Sequence, residues 1–314
     1  MYLVTGGAGF IGSNIVHALL VRNQQVRVLD NLATGRLANL ADAMDAVEFI
    51  NGDIRDLDTC RKALQGVRFV LHQAAIPSVP RSVKDPITSS AVNIQGTLSM
   101  LVAARDQGVE RFVFASSSSV YGDTPTLPKT ESMTPNPQSP YAVTKLAGEH
   151  LCRVFARAYG LTTITLRYFN VYGPRQDPTS TYAAVIPRFI SSCLMEKTAT
   201  IFGDGTQSRD FTFVEDCVAA NLLACEARLT GGEVCNIGTG SRSTVTELHA
   251  TIRRIVGKGA PPEFGPARTG DVKHSLADIS LAQALLGYTP KHTLASGLER
   301  TIQWFRTHDA ATPA

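Results

Sequence analysis

The most constraining stretch of this chain lies near its start. There Thr5-Gly6-Gly7-Ala8-Gly9-Phe10-Ile11-Gly12 spaces glycines at intervals of three. The stretch follows an apolar run over residues 1–5 and precedes a helical pattern that Gly12 opens and residue 20 closes. A strand that hands over to a helix through such a loop has few alternatives. One glycine allows the tight turn, the next lets the backbone approach a pyrophosphate, and the third lets helix and sheet pack closely. The helix N-terminus then offers amide donors and partial positive charge to the phosphates. Glycine spacing alone is weak, but the strand before it and the helix after it are the context a dinucleotide site requires.

Asp30 ends a second predicted strand (residues 26–29), eighteen residues beyond Gly12. A carboxylate there accepts hydrogen bonds from adenosine ribose hydroxyls and repels a 2′-phosphate, so NAD is expected over NADP. Arg36 is the opposing signal, because a nearby guanidinium can meet a phosphate; the carboxylate outweighs it. Asp53, after a third strand at 47–50, reads as a contact to the adenine edge or as a plain turn residue.

The alternation continues. A helical stretch at 57–64 precedes a strand at 69–72, and a long helix from Pro86 to Gln107 is stopped by Gly108. A fifth strand at 111–115 enters a serine run, a helix at 141–159 stops at Gly160, and a sixth strand covers 163–166. Strands separated by helices of this length require right-handed crossovers and a parallel sheet. The expected fold is therefore α/β, with a Rossmann-type doubly wound domain over residues 1–170. Beyond residue 170 the pairs Gly173-Pro174, Asp177-Pro178, Pro261-Pro262 and Gly265-Pro266 break the chain into shorter pieces. A smaller α+β lobe is expected over 171–314, with segments at 211–213 and 234–237 returning to the first domain.

Composition removes other classes. Thirty Lys+Arg against 27 Asp+Glu leaves +3, too balanced for a nucleic-acid surface. No run of about 18 uncharged apolar residues offers a membrane span, and the first residues lack the charged region of a signal peptide. Six cysteines (60, 152, 193, 217, 225 and 235) form no CxxC pair, which fits reduced thiols in a cytoplasmic protein. The seven histidines form no HxxxH or HExxH pattern, so no metal is expected.

The chemistry-bearing residues come next. The fifth strand runs into Ser116-Ser117-Ser118-Ser119-Val120-Tyr121, and Tyr141 and Lys145 lie one helical turn apart on one face. A phenol with a pKa near about 10 is a poor base at neutral pH. A Lys ammonium and an oxidised nicotinamide beside it would both favour tyrosinate and lower that pKa. A strand-end serine hydroxyl can then share the substrate hydroxyl's hydrogen.

With these motifs in order, the chain resembles the extended short-chain dehydrogenase/reductases, and within them the nucleotide-sugar 4-epimerases. The segments that carry the resemblance are TGGAGFIG at 5–12, DNLATG at 30–35, HQAA at 72–75, SSSSVYGD at 116–123, YAVTK at 141–145, LRYFNVYGPRQ at 166–176 and RTGDVKHSLAD at 268–278. By that similarity Tyr141 is the base, Lys145 holds the nicotinamide ribose and tunes Tyr141, and Ser117 holds the sugar 4-hydroxyl. NAD would touch Gly6, Gly9, Phe10, Ile11 and Gly12, then Asp30, Asn31, Gly35, Asp53 and Ile54. It would also touch Ala74, Ala75, Asn93, Tyr141, Lys145 and Tyr168. A UDP-sugar would meet Ser117, Ser118, Asn170, Ile186 and Phe202, with Arg209 and Arg268 on the diphosphate and Asp271 on the uridine ribose. A homodimer paired through the helices near 93–104 and 141–158 is implied as well.

Two positions narrow the reaction and the sugar. Related dehydratases carry an Asp-Glu pair where this chain has Ser118 and Ser119, and related decarboxylases a glutamate at the second position. Without a carboxylate there is no evident acid for a leaving 6-hydroxyl. Ser275 occupies the position where glucose-only 4-epimerases bear a bulky tyrosine, leaving room for an N-acetyl group on C2. The expected activity is UDP-GlcNAc/UDP-GalNAc 4-epimerisation, with UDP-Glc/UDP-Gal also accepted, since an enlarged pocket usually relaxes selection. The rival readings are a UDP-glucuronate 4-epimerase using Arg188 for the carboxylate, a reductase that releases its cofactor, and a non-catalytic NAD sensor.

Overall fold

Six consecutive strands form the frame of the molecule: β1 (Tyr2–Thr5), β2 (Val26–Asp30), β3 (Val47–Asn51), β4 (Phe69–His72), β5 (Arg111–Ser117) and β6 (Thr163–Tyr168). The computed structural model describes residues 1–177, 184–266 and 272–308. Short strands β7 (Thr200–Phe202) and β8 (Ser208–Arg209) follow, then β9 (Glu233–Ile237), β10 (Ser243–Thr244) and β11 (Glu263–Gly265). The main sheet has the order β3-β2-β1-β4-β5-β6-β9, and each of its pairings is parallel. It is a Rossmann-type sheet whose strand order reverses between β1 and β4.

The strands are buried on both faces, which is why they read as apolar runs rather than alternating ones. Consecutive residues feed two separate cores. Val4, Val28, Leu71 and Val113 pack on one side, while Leu3, Leu29, Val70 and Phe112 pack on the other. Helices Phe10–Val21 and Val214–Glu226 pack together on the first side. Helices Leu57–Ala63, Thr97–Asp106 and Pro140–Tyr159 cover the second. The last of these starts where its chemistry dictates: Ser139 accepts the Ala142 amide as N-cap, and Pro140 sits at the first helical position.

One segment departs from the sequence reading. The helix expected from Pro86 to Gln107 is not uniform: Pro86–Ser90 and Thr97–Asp106 are α-helical, but Ala91–Gly96 is a π-helix. Residues 211–213 run beside the segment that follows β6, with Phe213 bridging Tyr172. The segment around 234–237 lies in β9, beside β6.

After residue 170 the pieces are smaller. β7 pairs with β11 and β8 with β10, flanked by helices Val185–Leu194 and Val245–Val256. The second helix opens with a capping box between Thr244 and Glu247. Among the described residues, no helix is long and apolar enough to cross a membrane.

Candidate active site

At the C-terminal end of β1 the chain turns sharply, with Gly6 at φ +65°. A Cβ on Gly6 would lie 2.8 Å from the Ala74 backbone, and one on Gly12 would lie 2.1 Å from the Gly6 carbonyl oxygen. Only hydrogen fits at either place. The helix that follows has Gly9 as N-cap and no side chain capping it, so its first amides are left without a side-chain partner. Asp30 ends β2 and its buried carboxylate accepts the Ala8 amide at 2.9 Å and the Leu32 amide at 2.8 Å. Burial pushes this carboxyl's pKa up, opposed by those two amides. Gly35 lies against it, since a Cβ there would be 2.9 Å from Asp30 Oδ2. This cradle fits a dinucleotide: a side-chain-free turn, uncapped helix amides and a carboxylate at the second strand end.

The neighbouring acid is tied up differently. Asp53 accepts both Nε and Nη2 of Arg55, at 3.0 and 2.7 Å, and the Asn31 amide at 3.0 Å. These bonds, led by that to Arg55, hold its pKa down to about 2. Ile54, next in the chain, is buried. Arg36, the opposing signal for a 2′-phosphate, is ion-paired with Asp177 at 2.5 Å.

Strands β5 and β6 end side by side, with Ser117 in register with Tyr168. Ser117 caps the short 3-10 turn over Ser118–Tyr121, accepting the Ser119 amide at 3.2 Å. Tyr141 reaches this point from the first turn of helix Pro140–Tyr159, near enough to Ser117 for that hydroxyl to favour its ionised form. Lys145 is buried one turn later, with Nζ donating to the Ala115 carbonyl at 2.8 Å. Its ammonium lies 5.8 Å from the centre of the Tyr141 ring. Ser117, Tyr141 and Lys145 thus converge from one strand and one helix.

Burial dominates the titration of this group. Burial pushes the Tyr141 phenol up to about 12, and the Ser117 hydrogen bond only partly opposes it. Burial also brings Lys145 down to about 8, with Glu149 opposing. The chain's own groups leave Tyr141 protonated at neutral pH.

Two hydrogen-bonded knots stand behind the crevice. Asn93, on the π-helix, accepts the Ile76 amide at 2.7 Å and donates to the Ile76 carbonyl at 3.2 Å and to Thr144 Oγ1 at 3.0 Å. It fastens the segment following Ala74 and Ala75 to the helix of Tyr141. Tyr168 is buried, donates to Asn221 Oδ1 at 3.0 Å and accepts Gln73 Nε2 at 3.1 Å. Sequence reasoning missed Gln73 and Asn221; the HQAA segment that contains Gln73 was the available signal, whereas Asn221 offered none.

The expected substrate residues gather beyond β6. A cavity of about 280 Å³ is lined by Asn170, Ile186, Arg188, Phe202, Gln207 and Arg209, among others. Arg209 donates to the carbonyls of Ser208 and Lys273 at 3.0 and 2.9 Å. Arg188 lies over the Phe202 ring, 5.8 Å from its centre. Ser275 is buried, and its hydroxyl accepts Asn170 Nδ2 at 3.1 Å. Arg268 and Asp271 lie outside the described residues.

The comparisons with known proteins follow this geometry. A model of the NAD dependent epimerase/dehydratase family matches residues 2–238. The chain is 42% identical over 308 residues to the UDP-glucose 4-epimerase of Mycolicibacterium smegmatis, covering 97% of this chain and 98% of that one. The structure of UDP-N-acetylglucosamine 4-epimerase from Methanobrevibacter ruminantium, in complex with UDP-N-acetylmuramic acid, is similar at 39% identity. Its TM-score is 0.93, with 98% of both chains covered. UDP-glucuronic acid 4-epimerase from Bacillus cereus, in complex with UDP-glucuronic acid and NAD, is 38% identical. It gives a TM-score of 0.90, covering 98% of this chain and 99% of its own.

Proposed function

The chain belongs to the NAD-dependent epimerase/dehydratase family and, within it, to the UDP-sugar 4-epimerases, and from that premise we propose that it interconverts UDP-GlcNAc and UDP-GalNAc, and UDP-Glc and UDP-Gal. The observation that carries the reaction is the convergence of Tyr141, Ser117 and Lys145 beside a dinucleotide cradle, with serines at 118 and 119 where an acid would be needed for dehydration. The N-acetylated sugar is supported by Ser275, a small side chain against Asn170.

In this reading Tyr141 takes the proton of the sugar 4-hydroxyl and later returns it, while Ser117 holds that hydroxyl in line. Lys145 keeps a positive charge near the phenol and reaches the nicotinamide ribose. Bound NAD supplies reversible hydride acceptance and, when oxidised, a positive charge that favours tyrosinate. The 4-keto sugar turns over in the cavity before its other face is reduced, so no net oxidation accumulates. Residues 1–170 hold the cofactor and residues 171–314 most of the nucleotide sugar, with Arg209 and Arg268 on the diphosphate, Asp271 on the ribose, and Asn170, Ile186 and Phe202 nearby.

The protein works as a cytoplasmic homodimer in this reading. Its six cysteines are buried and free, which suits a reducing compartment. Val143 and Val154 are exposed apolar residues on helix Pro140–Tyr159, and Ile87 is exposed at the start of the neighbouring helix, which supports helix pairing across a twofold axis. UDP-glucuronate is the second reading, favoured by the Bacillus cereus relative. Against it, Arg188 shares its cavity wall with Phe202 and Ile186, the expected nucleotide end.

The test is product analysis by NMR with NAD and, in separate tubes, UDP-GlcNAc, UDP-Glc and UDP-glucuronate. Formation of UDP-GalNAc supports the proposal. Turnover of UDP-Glc alone rejects the reading of Ser275, and turnover of UDP-glucuronate alone transfers the assignment to the uronate. A Tyr141→Phe protein that keeps full turnover refutes the mechanism.

A further inference from the structure

A buried charged cluster adjoins the three converging residues along the Lys145 helix. Glu149 lies one helical turn beyond Lys145 and is buried, as is Arg167. Glu149 Oε1 accepts the Ser116 hydroxyl at 2.5 Å and Arg167 Nε at 2.9 Å, while Oε2 accepts Arg167 Nη2 at 2.7 Å. Each partner immediately precedes a residue of the site: Ser116 precedes Ser117, and Arg167 precedes Tyr168. Because neighbouring strand residues point to opposite faces, the cluster grips β5 and β6 from the face turned away from Ser117 and Tyr168. Tyr121 completes it, with its ring 4.7 Å from the Arg167 guanidinium carbon and its hydroxyl on Asn236 at 2.7 Å.

We propose that Glu149 is a positioning residue for the reaction, clamping the Lys145 helix to the ends of β5 and β6 and setting its carboxylate one helical turn from the Lys145 ammonium. The proposal rests on the reading of Tyr141 and Lys145 as the reacting pair. The charged and titratable groups around Lys145 are few. Tyr141 and Glu149 lie on its own helix, His72 on β4, and Arg167 on β6 behind Glu149. β5 contributes the Ala115 carbonyl and the Phe114 ring, 5.2 Å from Nζ. His72 is buried and neutral near neutral pH, so it supplies no counter-charge. Glu149 is thus the anion that opposes the loss of the lysine's proton on burial. The guanidinium in turn makes a buried Glu149 carboxylate tolerable.

The test uses the full-length protein with NAD, as wild type, Glu149→Gln and Glu149→Gln/Arg167→Met. The double variant removes both charges and guards against misfolding from an orphaned arginine. Lysine labelled with ¹³C at Cε gives the Lys145 titration midpoint by NMR, assigned with Lys145→Met, and kcat is followed across the same pH range. The expected result in both variants is a lower Lys145 midpoint and a several-fold loss of kcat at neutral pH, with the alkaline limb of kcat moving the same way. An unchanged midpoint in a folded variant overturns the proposal. A midpoint that moves while the kcat profile stays in place leaves the electrostatic coupling standing and overturns Lys145 as part of the reacting pair.

Discussion

His72 makes the stability of this protein depend on pH, and the structure gives the size of the effect. The imidazole ends β4 and is buried between the rings of Phe112 and Phe114, 5.4 and 5.9 Å away by centroid. Thr97 donates its hydroxyl to the Asn93 carbonyl at 2.7 Å, so its oxygen is left to accept His72 Nε2–H at 3.1 Å. Nδ1 lies 2.8 Å from Thr5 Oγ1 and accepts from it, which satisfies the neutral ring completely. Burial, with the nearby Lys145 charge adding to it, holds the pKa down to about 3. In the unfolded chain the same ring titrates near about 6.5. Between those values the unfolded state binds one more proton than the folded state, so stability falls as pH falls, by about 1.4 kcal/mol per pH unit.

From pH 7.5 to pH 5.0 the loss from this residue works out at about 2 kcal/mol. Urea denaturation of wild type and His72→Gln at both pH values checks it, because glutamine keeps hydrogen-bonding capacity without titrating. Whatever the substitution costs at pH 7.5, the variant should lose about 2 kcal/mol less than wild type on acidification. Equal losses in the two proteins would show that the ring either charges in the folded state or is not buried as described.

Three further outcomes follow from the site. Gly12→Ala should destabilise by about 1–3 kcal/mol and weaken NAD binding, measured by thermal melting and calorimetry. Helix propensity alone would make the same change stabilising by about 1 kcal/mol, but the added Cβ meets the Gly6 carbonyl at 2.1 Å. Asp30→Ala should weaken NAD binding and narrow the NAD-over-NADP preference, since it releases the Ala8 and Leu32 amides and removes the charge that repels a 2′-phosphate. Equal preference in variant and wild type would count against that role. Ser275→Tyr should cut turnover of UDP-GlcNAc far more than that of UDP-Glc, compared as kcat/KM by NMR; parallel losses would mean the side chain does not face the C2 substituent.

Much of this architecture is written in short-range pattern. The glycine loop, the strand starts and the YxxxK helix follow from spacing within a turn or two, because helix periodicity, capping by Ser139 and the φ +65° turn at Gly6 depend on near neighbours. The π-helix at Ala91–Gly96 escaped that pattern: its residues fit an ordinary helix, and its register goes with the bonds Asn93 makes to Ile76 and Thr144.

The glycine loop, the alternation of strand and helix and the placement of Tyr141 and Lys145 on one helix face are therefore properties of the chain read locally, since each needs only a few residues in sequence. The electrostatics of the site belong to the fold. Gln73 and Asn221, 148 positions apart, meet at Tyr168, and Glu149 finds Ser116 and Arg167 on two different strands. Burial then pushes Tyr141 and Lys145 in directions their spacing does not foretell. Desolvation and long-range pairing depend on which strand ends lie side by side, and that is set by the packing of the whole sheet.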